Sequence, residues 1–66
     1  MTPLGLSRTQ AAEYVGIGST KFDELVSDGM MPRPKVIGSR KLWDRREIEM
    51  SFDNLPVDGK NEWDEV

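Results

Sequence analysis

Two glycines one residue apart, Gly16-Ile17-Gly18, constrain this chain more than any other feature, because they separate two helix signals within a sequence of only 66 residues. Ahead of them, Ser7 is a good N-cap and Gln10, three residues on, completes a capping-box pattern. Leu6, just before the cap, offers half of a hydrophobic staple, and Ala11 or Ala12 with Val15 gives the helix a short apolar face. The small alanines let a second helix approach closely. Gly16 can take the left-handed conformation that ends a helix at little cost. Ile17 is expected to be buried in the turn, which Gly18 keeps narrow.

Ser19 then reads as the cap of a second helix, in which Phe22, Leu25 and Val26 fall at i, i+3 and i+4 and form the heart of the core. The opposite face centres on Thr20, Glu24 and Ser27, with Lys21 on its flank, and Gly29 supplies the stop. Pro32 and Pro34 exclude helix and favour extended backbone. Lys35-Val36-Ile37, Gly38-Ser39 and Arg40-Lys41-Leu42-Trp43 read as a two-stranded hairpin with a tight turn. Alternation places Trp43 and one of Val36 or Ile37 inside, without fixing the register. Asp44-Arg45-Arg46-Glu47 is a second capping-box pattern, opening a third helix with Ile48 and Phe52 on its inner face and Met50 elsewhere on its surface. The expected fold is mostly α with a small β-hairpin: a compact winged helix-turn-helix comprising a helix-turn-helix, a two-stranded wing and a third helix. The pattern covers residues 1–52, and residues 53–66 read as an acidic C-terminal tail, flexible or partner-binding in expectation.

The chain has neither cysteine nor histidine. That removes disulfides, thiolate metal sites, the thiol nucleophile and the commonest general base and metal ligand. Asp44 with Glu47 is explained by capping, and Asp64-Glu65 lacks the oxygen-ligand spacing of a calcium loop. The expectation is no enzyme, no metal, no cofactor and no small-molecule substrate. No run of about 18 apolar residues is present, and Met1-Thr2-Pro3-Leu4-Gly5-Leu6 lacks a basic start and an apolar stretch, so no membrane association is expected and the cytoplasm is the expected location.

A net charge of −3 conceals a division. Residues 1–52 carry eight Lys/Arg against seven Asp/Glu, and residues 53–66 one lysine against five acids. Residues 33–46 hold six basic residues and one acid. Because exposed charges more than about 8 Å apart are largely screened at physiological salt, the distribution outweighs the total. Such a concentration favours phosphate contact, and neutralising roughly four to six phosphates gives a log–log salt slope of about −4 to −5. The bland reading of Arg40-Lys41 and Arg45-Arg46 is a solvated surface.

Taken in order, Leu6-Ser7-Arg8-Thr9-Gln10-Ala11-Ala12-Glu13-Tyr14-Val15-Gly16-Ile17, Ser19-Thr20-Lys21-Phe22, Met31-Pro32-Arg33-Pro34, Ile37-Gly38-Ser39-Arg40, Leu42-Trp43-Asp44-Arg45 and Glu47-Ile48 resemble the AlpA-like regulators and excisionases of phages and integrative elements. These are compact relatives of the MerR-type winged-helix DNA-binding domain, and the resemblance spans about residues 4–52. It implies a bacterial or phage-encoded, nucleoid-associated protein whose second helix lies in the major groove of double-stranded DNA. Ser19, Thr20 and Lys21 would then approach the groove, with Arg33, Lys35, Ser39, Arg40 and Lys41 on the strands and wing. Arg8, Arg45 and Arg46 would contact the DNA backbone. Family members often carry a basic or aromatic residue just after the aromatic of the second helix, where this chain has Asp23-Glu24. Glu24 can accept from a cytosine amino group, or pair with Lys21 three residues earlier.

The expected function is that of an excisionase, a recombination directionality factor that binds near an attachment site and directs a separate integrase toward excision. A domain this small makes few base contacts, so side-by-side self-association on DNA is expected to supply affinity. The alternatives are an AlpA-like transcriptional regulator and, from another class, a protein-interaction module acting through the tail. Trp43, between hairpin and third helix, reads as core rather than as a base-stacking residue. In the tail, Leu55, Val57 and Trp63 have no evident core to join. They fold back on their own domain, dock on a protomer or recombinase, or belong to a segment that shields the basic face.

Overall fold

Leu6 and Trp43 face each other across two short antiparallel strands, and the rest of the chain is arranged around that pair. The computed structural model describes residues 2–58. Its elements are β1 (Gly5–Leu6), α1 (Arg8–Val15), α2 (Ser19–Ser27), β2 (Lys35–Ile37), β3 (Arg40–Asp44) and α3 (Arg45–Asp53). The three strands form one antiparallel sheet in the order β1-β3-β2. The sequence pattern gave no hint of β1, so the observed sheet has one strand more than the expected hairpin. No helix among the described residues is long and apolar enough to cross a membrane.

The first helix begins as its cap residues dictate. The Ser7 hydroxyl accepts from the Gln10 N–H at 3.2 Å, and the Gln10 side chain accepts from the Ser7 N–H at 3.0 Å. It ends at Gly16, where φ is 96° and the Ile17 N–H reaches back to the Ala12 carbonyl at 2.9 Å. A side chain at that φ would strain against its own backbone, whereas glycine adopts it freely. The second helix departs from expectation at its start. Gly18, not Ser19, is the N-cap; its backbone is extended and no side chain caps the helix, while Ser19 occupies the first helical position. Gly18 does not narrow the turn by necessity either, since a Cβ there would meet nothing within 4 Å. The helix closes at Asp28 and Gly29, with the Met30 N–H donating to the Leu25 carbonyl at 2.8 Å.

In the hairpin, Ile37 pairs with Arg40 and Val36 with Lys41, so Gly38 and Ser39 are the two loop residues. Gly38 has φ 60° and Ser39 no positive φ, the pattern of a type II′ turn with glycine at its first central position. Both Val36 and Ile37 are exposed, at 66% and 64%, so neither enters the core as alternation had suggested. β3 alone crosses from solvent to interior, with Arg40 and Lys41 outside and Trp43 and Asp44 inside. At the start of α3, the Asp44 carboxylate accepts from the Arg46 N–H at 2.8 Å. Glu47, expected to complete a capping box there, pairs instead with Lys35 at 3.5 Å.

The core consists of Leu6, Ala11, Ala12, Phe22, Met31, Trp43 and Ile48, with Val15, Ile17, Leu25, Val26 and Leu55 packed against it. Ala11 and Ala12 are fully covered, as close contact between α1 and α2 requires. Phe22 meets Trp43 edge to face, ring centroids 5.3 Å apart at 75°, a preferred aromatic geometry. Trp43 Nε1–H donates to the Pro32 carbonyl at 2.9 Å, so burying the indole strands no donor. Two apolar residues read as inner or tail residues lie otherwise. Phe52, expected on the inner face of α3 with Ile48, is 53% exposed. Leu55, assigned by sequence to the tail, packs on the core.

Candidate nucleic-acid interface

With Phe22 turned inward, α2 presents Thr20, Lys21, Glu24 and Ser27 to solvent. Its first N–H groups, at residues 19–21, have no intrahelical acceptor and no side-chain cap, which leaves donors and the positive end of the helix dipole open to an anion. Lys21 Nζ lies 3.4 Å from Glu24 Oε1. Of the two roles open to Glu24 in the sequence, the structure holds the pairing one.

Asp23, the other acid of this helix turn, is also matched. Arg8 Nε lies 2.9 and 3.1 Å from its two carboxylate oxygens, and Nη2 lies 2.6 Å from Oδ2. These charge-assisted hydrogen bonds hold the Asp23 carboxyl below its ordinary pKa and the Arg8 guanidinium above its own. The pairing offsets an acidic pair that would otherwise repel phosphates. It also occupies Arg8, a residue read from sequence as a backbone contact. Residues 15 apart carry no local signal for such a contact, and nothing in the sequence pattern pointed to it.

The basic residues of the 33–46 segment divide into two groups. Arg46 lies 3.1 Å from Asp44 Oδ2, and Asp44 is buried to 9% of its side-chain exposure. The guanidinium, aided by the Arg46 backbone N–H, lowers the Asp44 carboxyl to a pKa of about 2 against the cost of its desolvation. Arg45 Nη1 donates to the Thr2 carbonyl at 2.9 Å, and its Nε lies 3.9 Å from Glu49. Glu49 in turn accepts from the Tyr14 hydroxyl, which joins α1 to α3 and raises the Tyr14 pKa. Lys35 pairs with Glu47. Arg33, Arg40 and Lys41 are exposed, and no carboxylate among the described residues lies within ion-pair distance of them. Ser39 is exposed at the hairpin tip between these charges.

A cleft between the end of α2 and the hairpin brings part of the predicted set together. Ser27, from the outer face of α2, lines it with Arg33, Val36, Lys41 and the edge of Trp43. The outward face of α2 therefore runs into a cationic recess. Arg8, Arg45 and Arg46 take no part in it: Arg8 is paired across to α2, while Arg45 and Arg46 are paired within α3 and at its cap. A second groove, lined by Tyr14, Glu49 and Phe52 among others, lies between α1 and α3 and carries no lysine or arginine. Val57 is exposed, and Trp63 lies outside the described residues. No group of acids able to hold a metal ion occurs among the described residues.

No family model, curated protein or solved structure matches this chain.

Proposed function

We propose that the chain is a winged helix-turn-helix DNA-binding protein of the excisionase type. In this reading α1, the Gly16-Ile17-Gly18 turn and α2 are the helix-turn-helix, and the β2–β3 hairpin is the wing. The observation that carries it is the continuity between the outer face of α2 and the cleft holding Arg33 and Lys41. A helix seated in the major groove through Thr20, Lys21 and Ser27 would carry those cations, and Arg40 at the wing, to the flanking phosphates. The uncapped N-terminus of α2 offers its N–H groups to a further phosphate. Glu24, drawn to Lys21, is available for a cytosine amino group if that weak exposed pair opens.

With three cations unpaired among the described residues, one copy binds weakly, and neighbouring copies on repeated sites add affinity through linked binding. Such an array beside an attachment site would bias a separate integrase toward excision. The test is a gel-shift titration on DNA flanking an attachment site, with a scrambled duplex as control and with Arg40→Ala/Lys41→Ala as variant. Stepwise shifts on the cognate duplex, lost in the variant, are expected. A single shift would point to a transcriptional regulator. Equal binding to both duplexes at every salt concentration would reject the reading in favour of a protein-interaction module.

A further inference from the structure

We infer that the acidic C-terminal segment of this same chain occupies the cationic cleft between α2 and the hairpin, where it stands in for a nucleic-acid backbone. Three observations converge on that occupant. The first is charge. The cleft holds Arg33 and Lys41, and neither has a carboxylate partner among the described residues. Residues 53–66 carry five acids and one lysine. The second is the apolar part of the site. Val36 lines the cleft at 66% exposure, next to an edge of Trp43, and so offers a surface for an apolar side chain flanked by acids. Glu62-Trp63-Asp64-Glu65 has that composition.

The third is reach. Leu55 and Pro56 share a shallow depression with Gly29 and Met30, so the chain leaves the core beside the start of the loop that leads into the cleft. Arg33 lies three residues beyond Met30, at most about 10 Å along the chain. Trp63 lies seven residues beyond Pro56, which extended backbone can carry roughly 23–25 Å. The span is ample. The groove between α1 and α3 is the competing apolar surface, but no lysine or arginine lines it, so it offers an acidic segment no cation to pair with.

A tethered ligand at an effective concentration in the millimolar range need bind only weakly to occupy its site. The consequence for DNA rests on the function proposed above, whereas the docking itself does not, and two measurements on the full chain keep them apart. The sequence has no cysteine, so Val66→Cys allows a single nitroxide label. Without DNA, the label is expected to broaden the amide resonances of Arg33, Val36 and Lys41, and the broadening should fade with salt and in the variant Glu62→Gln/Asp64→Asn/Glu65→Gln. Unbroadened cleft amides, or broadening centred on Tyr14 and Phe52, would overturn the inference. In the DNA titration, the neutralised tail is expected to tighten binding on the order of 3- to 10-fold at low salt. Unchanged affinity in a chain that does bind DNA would overturn the competitive role. Cleft broadening in a chain that binds no DNA would support the docking and refute the proposed function instead.

Discussion

Arg8 and Asp23 clamp the start of α1 to α2 through a two-pronged contact, with three N···O distances between 2.6 and 3.1 Å. Both side chains remain half exposed, so the pair contributes little to stability, but it decides which charges α2 shows. Asp23→Asn removes the negative charge and releases Arg8. If the proposed DNA binding holds, affinity rises and the log–log salt slope steepens by about 0.9, one more phosphate being neutralised. The melting temperature should change little. Fluorescence anisotropy across a salt series checks this, and weaker binding by the asparagine variant would contradict it.

The same count applied to the basic residues between 33 and 46 revises the salt dependence downward. Six basic residues between 33 and 46 suggested a slope of about −4 to −5, yet Lys35, Arg45 and Arg46 are engaged with Glu47, Glu49 and Asp44. Arg33, Arg40 and Lys41 remain, for a slope near −3 in wild type and about −1 in Arg40→Ala/Lys41→Ala. A wild-type slope near −5 would mean that DNA breaks the internal pairs.

What the sequence disclosed and what it hid follow from range. Helix ends are written in neighbouring residues, so the Ser7–Gln10 box, the stops at Gly16 and Gly29 and the turn at Gly38 were all legible. Periodicity names a face but not what covers it. Phe52 shares the face of Ile48, yet only Ile48 lies under neighbouring elements, and Val36 and Ile37 sit on a short strand that the described elements leave exposed. A two-residue strand such as β1 has no period to detect. In the candidate site, the charges were legible and their pairing was not, because Arg8–Asp23 and Lys35–Glu47 join residues 15 and 12 apart.

Trp43 joins the core to the loop before the hairpin, through its edge contact with Phe22 and its bond to the Pro32 carbonyl. Trp43→Phe loses that bond and part of the indole volume, at a cost of about 1–3 kcal/mol. Phe22→Ala, at a fully buried position, costs about 3–5 kcal/mol. Small domains have so little stability in reserve that the alanine variant should be largely unfolded at 37 °C. Urea melts followed by circular dichroism measure both, and a Phe22→Ala variant as stable as wild type would refute the assigned core.

Asp44 sets the response to acid. Its folded pKa of about 2 lies below the ordinary 3.8, so its contribution is fully present above about pH 4 and is lost as pH falls toward 2. Asp23, also lowered, acts in the same direction. Asp44→Asn keeps a side-chain oxygen for the α3 cap but cannot titrate. The variant should be less stable than wild type at pH 7, and the difference should narrow toward pH 2. Thermal melts between pH 2 and 7 test this, and parallel curves would contradict it.

Gly18 offers a stabilising substitution whose side effect reports on function. It caps α2 with extended backbone at φ −77°, contributes no side-chain hydrogen bond and has open space where a Cβ would stand. Gly18→Ser adds a hydroxyl able to accept from an N–H of the first turn and reduces the freedom of the unfolded chain. Together these should raise stability by about 0.5–1 kcal/mol, roughly 2–8 °C in a domain of this size. In the DNA-bound geometry proposed here, that N–H faces a phosphate, so the serine should weaken binding while strengthening the fold. Melting temperature and DNA affinity moving in opposite directions would place the start of α2 against the DNA backbone. A serine variant that is both more stable and equally tight would remove the helix N-terminus from the interface.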